Sequence, residues 1–454
     1  MKKQYISVVL CTILAAALGT QAQAAPTTNT WLGTSDANWS QPTNWSLSHV
    51  PTSTEAARFP QEATARTITM PANAEACRID IPATTGYAFL SGGKLTLTKH
   101  PDDDWILFNT AVGVYFNSDI TYSSTGNQGI YKVGAGNLVL RQSATNSASK
   151  WVVGAALLGF ESGTFPNVTS IDNWSATGFQ LSDARLPNSS LSLHYASSLP
   201  LVAGNNSLGM LSTASGVSGA YFQFSSNSIV MHITGLAGQS IIGPGTFHIL
   251  GGAASTGGAV YYDEPCTNLF QLNDSMLRVW TYAKLIVNGT FNANSTNNEV
   301  RMEGNTVLAG VGKIAPFVNL YTTATLAPGS NLTATAGALT VSNVTMTAGS
   351  IFKADLLGAT AGTQYDQLVV RPNAKLTLAG ATLQLNLGFA PLAGEKYKLI
   401  DAGSGATVVG QFACGTSISA TYNSRTYKFT VNYAGGDGND VVLYVPAGTV
   451  VSVK

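Results

Sequence analysis

Residues 375–387 read Lys375-Leu-Thr-Leu378-Ala-Gly380-Ala-Thr382-Leu-Gln-Leu-Asn-Leu387, two runs in which Leu alternates with Thr, Gln or Asn, parted by a glycine. A period of two gives a strand one apolar and one polar face, and the glycine break turns the chain. The same short pattern recurs at Lys94–Thr98, Asn137–Leu140, Ser190–Leu193, Ala338–Val341 and Val441–Val445. Almost no stretch repeats apolar residues at i, i+3 and i+4, so strands should dominate and helix should be minor. In this register Leu138, Leu140, Leu339, Val341, Leu376, Leu378, Leu383 and Leu385 point into the core.

Hydrophobic residues make up 45% of the 454-residue chain, ample for a core, while charged residues are only 10%, against about 25% in an average soluble domain. Lys+Arg and Asp+Glu both number 23, so the charges cancel. That balance excludes a basic nucleic-acid binder and an acidic tail. Gly, Ser, Thr and Asn supply the polar content, as turn-rich β structure requires.

The N-terminus has the layout of a secretory signal: Lys2 and Lys3, an apolar run from Ile6 to Leu18, then Ala22-Gln23-Ala24. Cleavage after Ala24 is expected, giving residues 1–24 as signal peptide and an extracellular or bacterial cell-surface mature chain. Cys11 follows Leu10 inside the apolar run, which does not suit a lipoprotein. No later apolar run is long enough for a membrane-spanning helix, so no transmembrane segment is expected in the mature chain. Cys77, Cys266 and Cys414 are too few and too far apart for a disulfide framework. Free buried thiols are expected, with a single bridge left open.

Residues 25–90 hold Trp31, Trp39 and Trp45, two of them in Asn-Trp pairs, with Pro42, Pro51 and Pro60 between short strands. This segment reads as a turn-rich cap, 91–350 as the repetitive body, and 351–454 as terminal coils. A row of sandwiches would need linkers, and none interrupts the pattern. A β-solenoid needs none, because coils of roughly 20–25 residues bury their apolar sides on one another. Twelve to sixteen coils are expected.

Three stretches carry more than a pattern: Lys132-Val-Gly134-Ala-Gly136-Asn-Leu138-Val-Leu140; Leu308-Ala-Gly310-Val-Gly312; and Leu326-Ala-Pro328-Gly329 before Ala338–Val341. They resemble the autotransporter-associated β-strand repeat of bacterial secreted proteins. The opening Trp31-Leu-Gly33…Asn38-Trp39…Asn44-Trp45 and the closing Gly435-Gly436-Asp437-Gly438-Asn439-Asp440 are similar to the two ends of such chains. The resemblance covers about two-thirds of the mature chain and implies an all-β, right-handed parallel β-helix with surface or extracellular location. It implies no reaction, and no translocator barrel follows.

Candidate chemistry is sparse. Gly435–Asp440 matches one unit of a calcium-binding repeat, but one copy cannot surround an ion, so a glycine turn before a strand is the reading taken. Asp102, Asp103 and Asp104, with Lys99 and His100 before them, and Asp263-Glu264 are the tight acidic groups. Either could serve a polysaccharide lyase or hydrolase, though such runs are more often solvated turns. His232 and His248 could meet only if their coils stack. Trp31, Trp39 and Trp45 could stack on sugars, but a hydrophobic plug over the solenoid end is favoured. The expectation is thus a secreted or surface structural and adhesive solenoid without catalytic centre, metal or cofactor. Its partner would be a surface polysaccharide or extracellular matrix. The alternatives are a carbohydrate-active β-helix enzyme and a carbohydrate-binding module.

Overall fold

The computed structural model describes residues 25–447 except 35, 64–66, 91–92, 102, 124–128, 142–149, 177, 196, 214–219, 225–229, 234–239, 243–244, 251–258, 263–269, 273–274, 281, 294–297 and 330–335. The expected signal peptide at 1–24, Asp102, Asp263, Glu264 and Cys266 lie outside the described residues. Along 240–272 only the backbone is described.

Alternating sequence gives alternating burial. Lys94–Thr98 buries Leu95 and Leu97, and Ile106–Thr110 buries Ile106, Phe108 and Thr110. Short strands of this kind cannot satisfy their own backbone, so each pairs with the strand one coil before and one coil after. The result is a parallel β-helix with three faces. The first face runs from Thr28–Thr30 through fifteen successive parallel pairings, hence sixteen coil positions, to Lys396–Ala402. At about 4.8 Å per coil the stack is on the order of 70 Å long. The second face ends at Thr407–Val409 and the third at Thr382–Leu387. The strand Phe179–Leu193 passes round all three: Phe179 pairs with Leu158, Ala184 with Gly163 and Ser190 with Ser170. Among the described residues the sole helical element is the 3-10 turn Pro42–Asn44.

The expected inward residues are buried, with one difference. Leu138, Leu140, Leu339, Val341, Leu376 and Leu378 are at most 1% exposed and Leu383 is 5% exposed, but Leu385 is only partly buried. It lies on the last parallel strand of the third face, where no further parallel coil covers it. Coil length also departs from expectation. The step from Ser170 to its partner Ser190 is a coil of the expected length, whereas the step from Leu368 to Ile400 is more than half as long again. Longer coils carry their extra residues in corner loops, such as the one closed by the Leu357 amide donating to the Gln364 carbonyl.

Both ends are covered. At the start, Trp31, Trp39, Trp45 and Phe59 pack ring against ring, with Trp31–Trp45 centroids 5.1 Å and Trp39–Trp45 4.9 Å apart. Buried Asn44 holds the loop beneath them by donating to the Asp36 and Asn38 carbonyls at 3.0 and 3.1 Å. At the far end parallel pairing gives way to antiparallel. Lys396–Ala402 pairs with Asp440–Tyr444, which pairs with Arg425–Gly435, which pairs with Ser417–Tyr422. The first-face edge of the last coil is thereby occupied, the standard protection against edge-to-edge association.

Lys132 explains the glycines that follow it. It occupies an inward position, between Phe108 and Val153 in register, and is fully buried. Its Nζ donates to the carbonyls of Gly134, Gly136 and Ala155, at 3.0 Å and 2.7 Å for the first and last. The turn lies so close to the preceding coil that a Cβ on Gly134 (φ +81°) would stand 2.3 Å from the Thr110 carbonyl oxygen. On Gly136 it would stand 1.9 Å from that of Val112. Burial lowers the Lys132 pKa to about 8, a penalty of about 3 kcal/mol. The three hydrogen bonds satisfy the three donors of the ammonium and so make its burial tolerable.

Two stability outcomes follow from this packing. Lys132→Met keeps the stem but strands three inward carbonyls, and should lower stability by about 2–4 kcal/mol in thermal or denaturant unfolding. Leu383→Asp puts an unpartnered charge into the core and should lower it by about 3–5 kcal/mol. Wild-type melting of the second variant would mean the strand register is shifted by one.

Candidate functional site

The residues nominated from sequence fall into separate local groups along the rod. Trp31, Trp39 and Trp45 are 0–1% exposed and cover each other's faces. Their rings are turned to one another and away from solvent in this arrangement. Asp103 accepts a Lys99 hydrogen bond at its backbone carbonyl, and its own amide donates to His100 at 3.1 Å. That makes a local turn, with Asp104 exposed beside it. Behind the turn, Arg78 pairs with Asp80 at 2.8 Å and Cys77 is buried, its thiol pushed up to about 12, chiefly by burial with Asp103 adding to it.

Gly435–Asp440 is the turn of the terminal hairpin, with Gly435 paired to Asp440. Asp440 is 1% exposed, accepts the Ala402 amide at 2.8 Å and meets Lys398 Nζ at 2.8 Å, while Asn439 donates to the Ala406 carbonyl at 3.0 Å. These groups tie the hairpin to the last coil. Among the described residues no three His, Cys, Asp or Glu side chains gather as a metal site would need. The two histidines also separate. His232 pairs with Ser207 and Tyr261 on the third face, His248 with Tyr221 and Arg278 on the second.

Acids and bases from neighbouring coils gather into a cluster on the second face. Glu303 stands 2.8 Å from Arg278 and 3.7 Å from Arg301. Glu299 stands 3.8 Å from Arg301 and accepts Asn319 at 2.7 Å. Arg301 also donates to the Tyr321 hydroxyl, which raises its pKa. Like-charged Arg278 and Arg301 are in direct register, so Glu303, which meets both, turns a repulsion into a staple.

The prominent exposed feature was not nominated from sequence. Trp174, just after Ser170–Asn173, is 47% exposed, and Tyr195 is 48% exposed. Because Asn173 and Leu193 are register partners, Trp174 and His194 are stacked neighbours, centroids 3.8 Å apart and planes 4° from parallel. Tyr195 meets the indole edge-on at 6.4 Å. Asp172 Oδ1 lies 3.7 Å from His194 Nε2. Val153 pairs with Asn173, so on its other side Trp174 adjoins Gly154, whose missing side chain would collide with the Tyr131 ring.

The corner below is fixed by buried polar groups. Asn173 Nδ2 donates to the Ser175 carbonyl at 3.1 Å and to Ser197 Oγ at 2.9 Å, and its Oδ1 accepts the Ser175 amide at 3.2 Å. Ser197 Oγ reaches the Ser175 and Tyr195 carbonyls at 2.8 and 3.1 Å. The signal in the sequence is that Trp174 and His194 lie one coil apart, legible only once coil length is known.

The chain matches no family model and no curated protein sequence. No helix among the described residues is long and apolar enough to cross a membrane.

A buried carboxyl gives the C-terminal coils a pH dependence. Asp366 is 2% exposed and accepts the Gly337 and Asp355 amides at 2.9 and 2.8 Å. Burial raises it to about 7, aided by the Asp355 carboxylate and opposed by those amides and Lys353. The folded chain therefore takes up a proton near pH 7 that the unfolded chain takes up only near 3.9. Between these values the folded state holds more protons, so stability should rise as pH falls from 8 to 5. Unfolding midpoints of wild type minus Asp366→Asn, measured across that range, should show this slope. Equal slopes would remove it.

Proposed function

We propose that the chain is a secreted or cell-surface β-solenoid with a structural and adhesive role, of the kind its resemblance to autotransporter-associated repeats suggests. The observation that carries the reading is the stack itself: sixteen first-face positions in continuous parallel register, plugged at one end and edge-paired at the other. Such a body is a rod that holds outward side chains at fixed spacing. Its charges support the same role, since the glutamates and arginines of the second face staple coil to coil. The glycine turns beside Lys132 and Asp440, which resemble the family's motifs, serve the coils and the end hairpin. The aromatic group at Trp174 stands outside this scaffolding, and adhesion would use surface of that kind.

Expression of the whole chain with its own N-terminus in a bacterial host, followed by fractionation and N-terminal sequencing, tests the location. The mature product should begin at Ala25, lie outside the cytoplasm and resist protease as one body. An unprocessed chain confined to the cytoplasm would overturn the proposal.

A further inference from the structure

We infer that Trp174, Tyr195, His194 and Asp172 form a binding ledge for a neutral polysaccharide, the indole taking the face of a pyranose ring. The inference rests on the adhesive reading and gives it a ligand class. An indole half exposed to water is costly to display, and an isolated one would fold back onto the surface. Trp174 is prevented from doing so by its parallel stack on His194 and by the Asn173–Ser175–Ser197 network that fixes the corner beneath it. A rigid, flat, partly exposed ring is what the apolar C–H face of a sugar packs against, with little ordering of the protein on binding.

The surroundings suit the rim of that sugar. The Asp172 carboxylate and the His194 ring, 29% and 24% exposed, lie within reach of hydroxyls beside the indole. Outward from Asp172 in the next coils run Ser192 and Ser212, whose hydroxyls are 3.2 Å apart. Hydroxyls and one carboxylate, without an adjacent lysine or arginine in the column, favour an uncharged chain over an acidic one. The column Val152–Asp172–Ser192–Ser212 repeats once per coil. That step, about 4.8 Å, spaces polar side chains beside the indole one per coil, where hydroxyls of a bound sugar can meet them. With one face stacked on His194 and 47% of the side chain still exposed, the indole presents its other face to solvent, bordered by the Tyr131 ring over Gly154.

The test uses the whole mature chain in affinity gel electrophoresis against hydroxyethylcellulose, galactomannan, laminarin and xylan, with alginate as the acidic arm. Wild type should be retarded by at least one neutral polymer. Trp174→Ala should weaken that retardation at least tenfold, and Tyr195→Ala less, with melting temperatures unchanged because both side chains are exposed. Three results would overturn the ledge: no retardation by any neutral polymer, retardation indifferent to Trp174→Ala, or retardation by alginate alone. Self-association abolished by Trp174→Ala, without polymer binding, would also overturn it and assign the patch to a second copy. Each of these leaves the exported rod standing, because export and protease resistance are read separately.

Discussion

A parallel coil must turn three corners per circuit, and at each corner the backbone leaves the ladder that satisfies it. Strand pairing supplies partners for residues on the faces but not for the carbonyls that turn inward between them. The protein meets that demand with buried polar side chains. Lys132 serves three carbonyls at one corner, and Asn173, two coils on at the same register position, serves the equivalent one. Asn206 closes a third-face corner by donating to the Ala203 carbonyl and accepting the Ala184 amide. Asp366 does it with the opposite polarity, accepting amides from Gly337 and Asp355. Apolar packing makes the stack stable, but these groups fix where each coil bends, and a bend misplaced by one residue would exchange core and surface for the next strand.

Corner placement also decides what the outside displays. From Lys150 to Thr213 the first face keeps one constant coil length, Lys150 pairing with Ser170, Ser170 with Ser190 and Ser190 with Met210. Outward side chains there fall into straight columns, and residues a coil apart in sequence become stacking neighbours. Trp174 over His194 and Ser192 beside Ser212 follow from that regularity. Where coils lengthen, as between Leu368 and its partner Ile400, the strands still keep register.

The faces were legible in the sequence because burial alternates with the same period as the residues. Lys94–Thr98 alone states both the strand and its inward side. The motif at Lys132 was legible as a resemblance, though its physical sense, an ammonium turned inward onto its own turn, needed the third dimension. The aromatic residues were not legible in this way. Trp31, Trp39 and Trp45 crowd together in sequence and are buried, while Trp174, isolated in sequence, is exposed. A tryptophan reads alike as plug or platform until its neighbours across coils are known, and those depend on coil lengths that change along the rod. At the acidic run before Trp105, sequence proximity produced a local turn at Asp103.

The two ends show why the ledge lies mid-rod. A terminal coil has an unpaired edge, so its aromatic residues are drawn into covering it, as the Trp31–Trp39–Trp45–Phe59 cluster is. The far end gives its edge to an antiparallel hairpin and ties that hairpin with Asp440 and Asn439. Only coils with a neighbour on both sides can spare a large ring for solvent, because their backbone is already satisfied above and below. Trp174 belongs to such a coil, its amide held by the Val153 carbonyl and its own coil capped by the amide of His194 on the Asn173 carbonyl. The rigidity of that position is therefore a property of the stack, and the stack's corners are what a ligand bound at the ledge would feel.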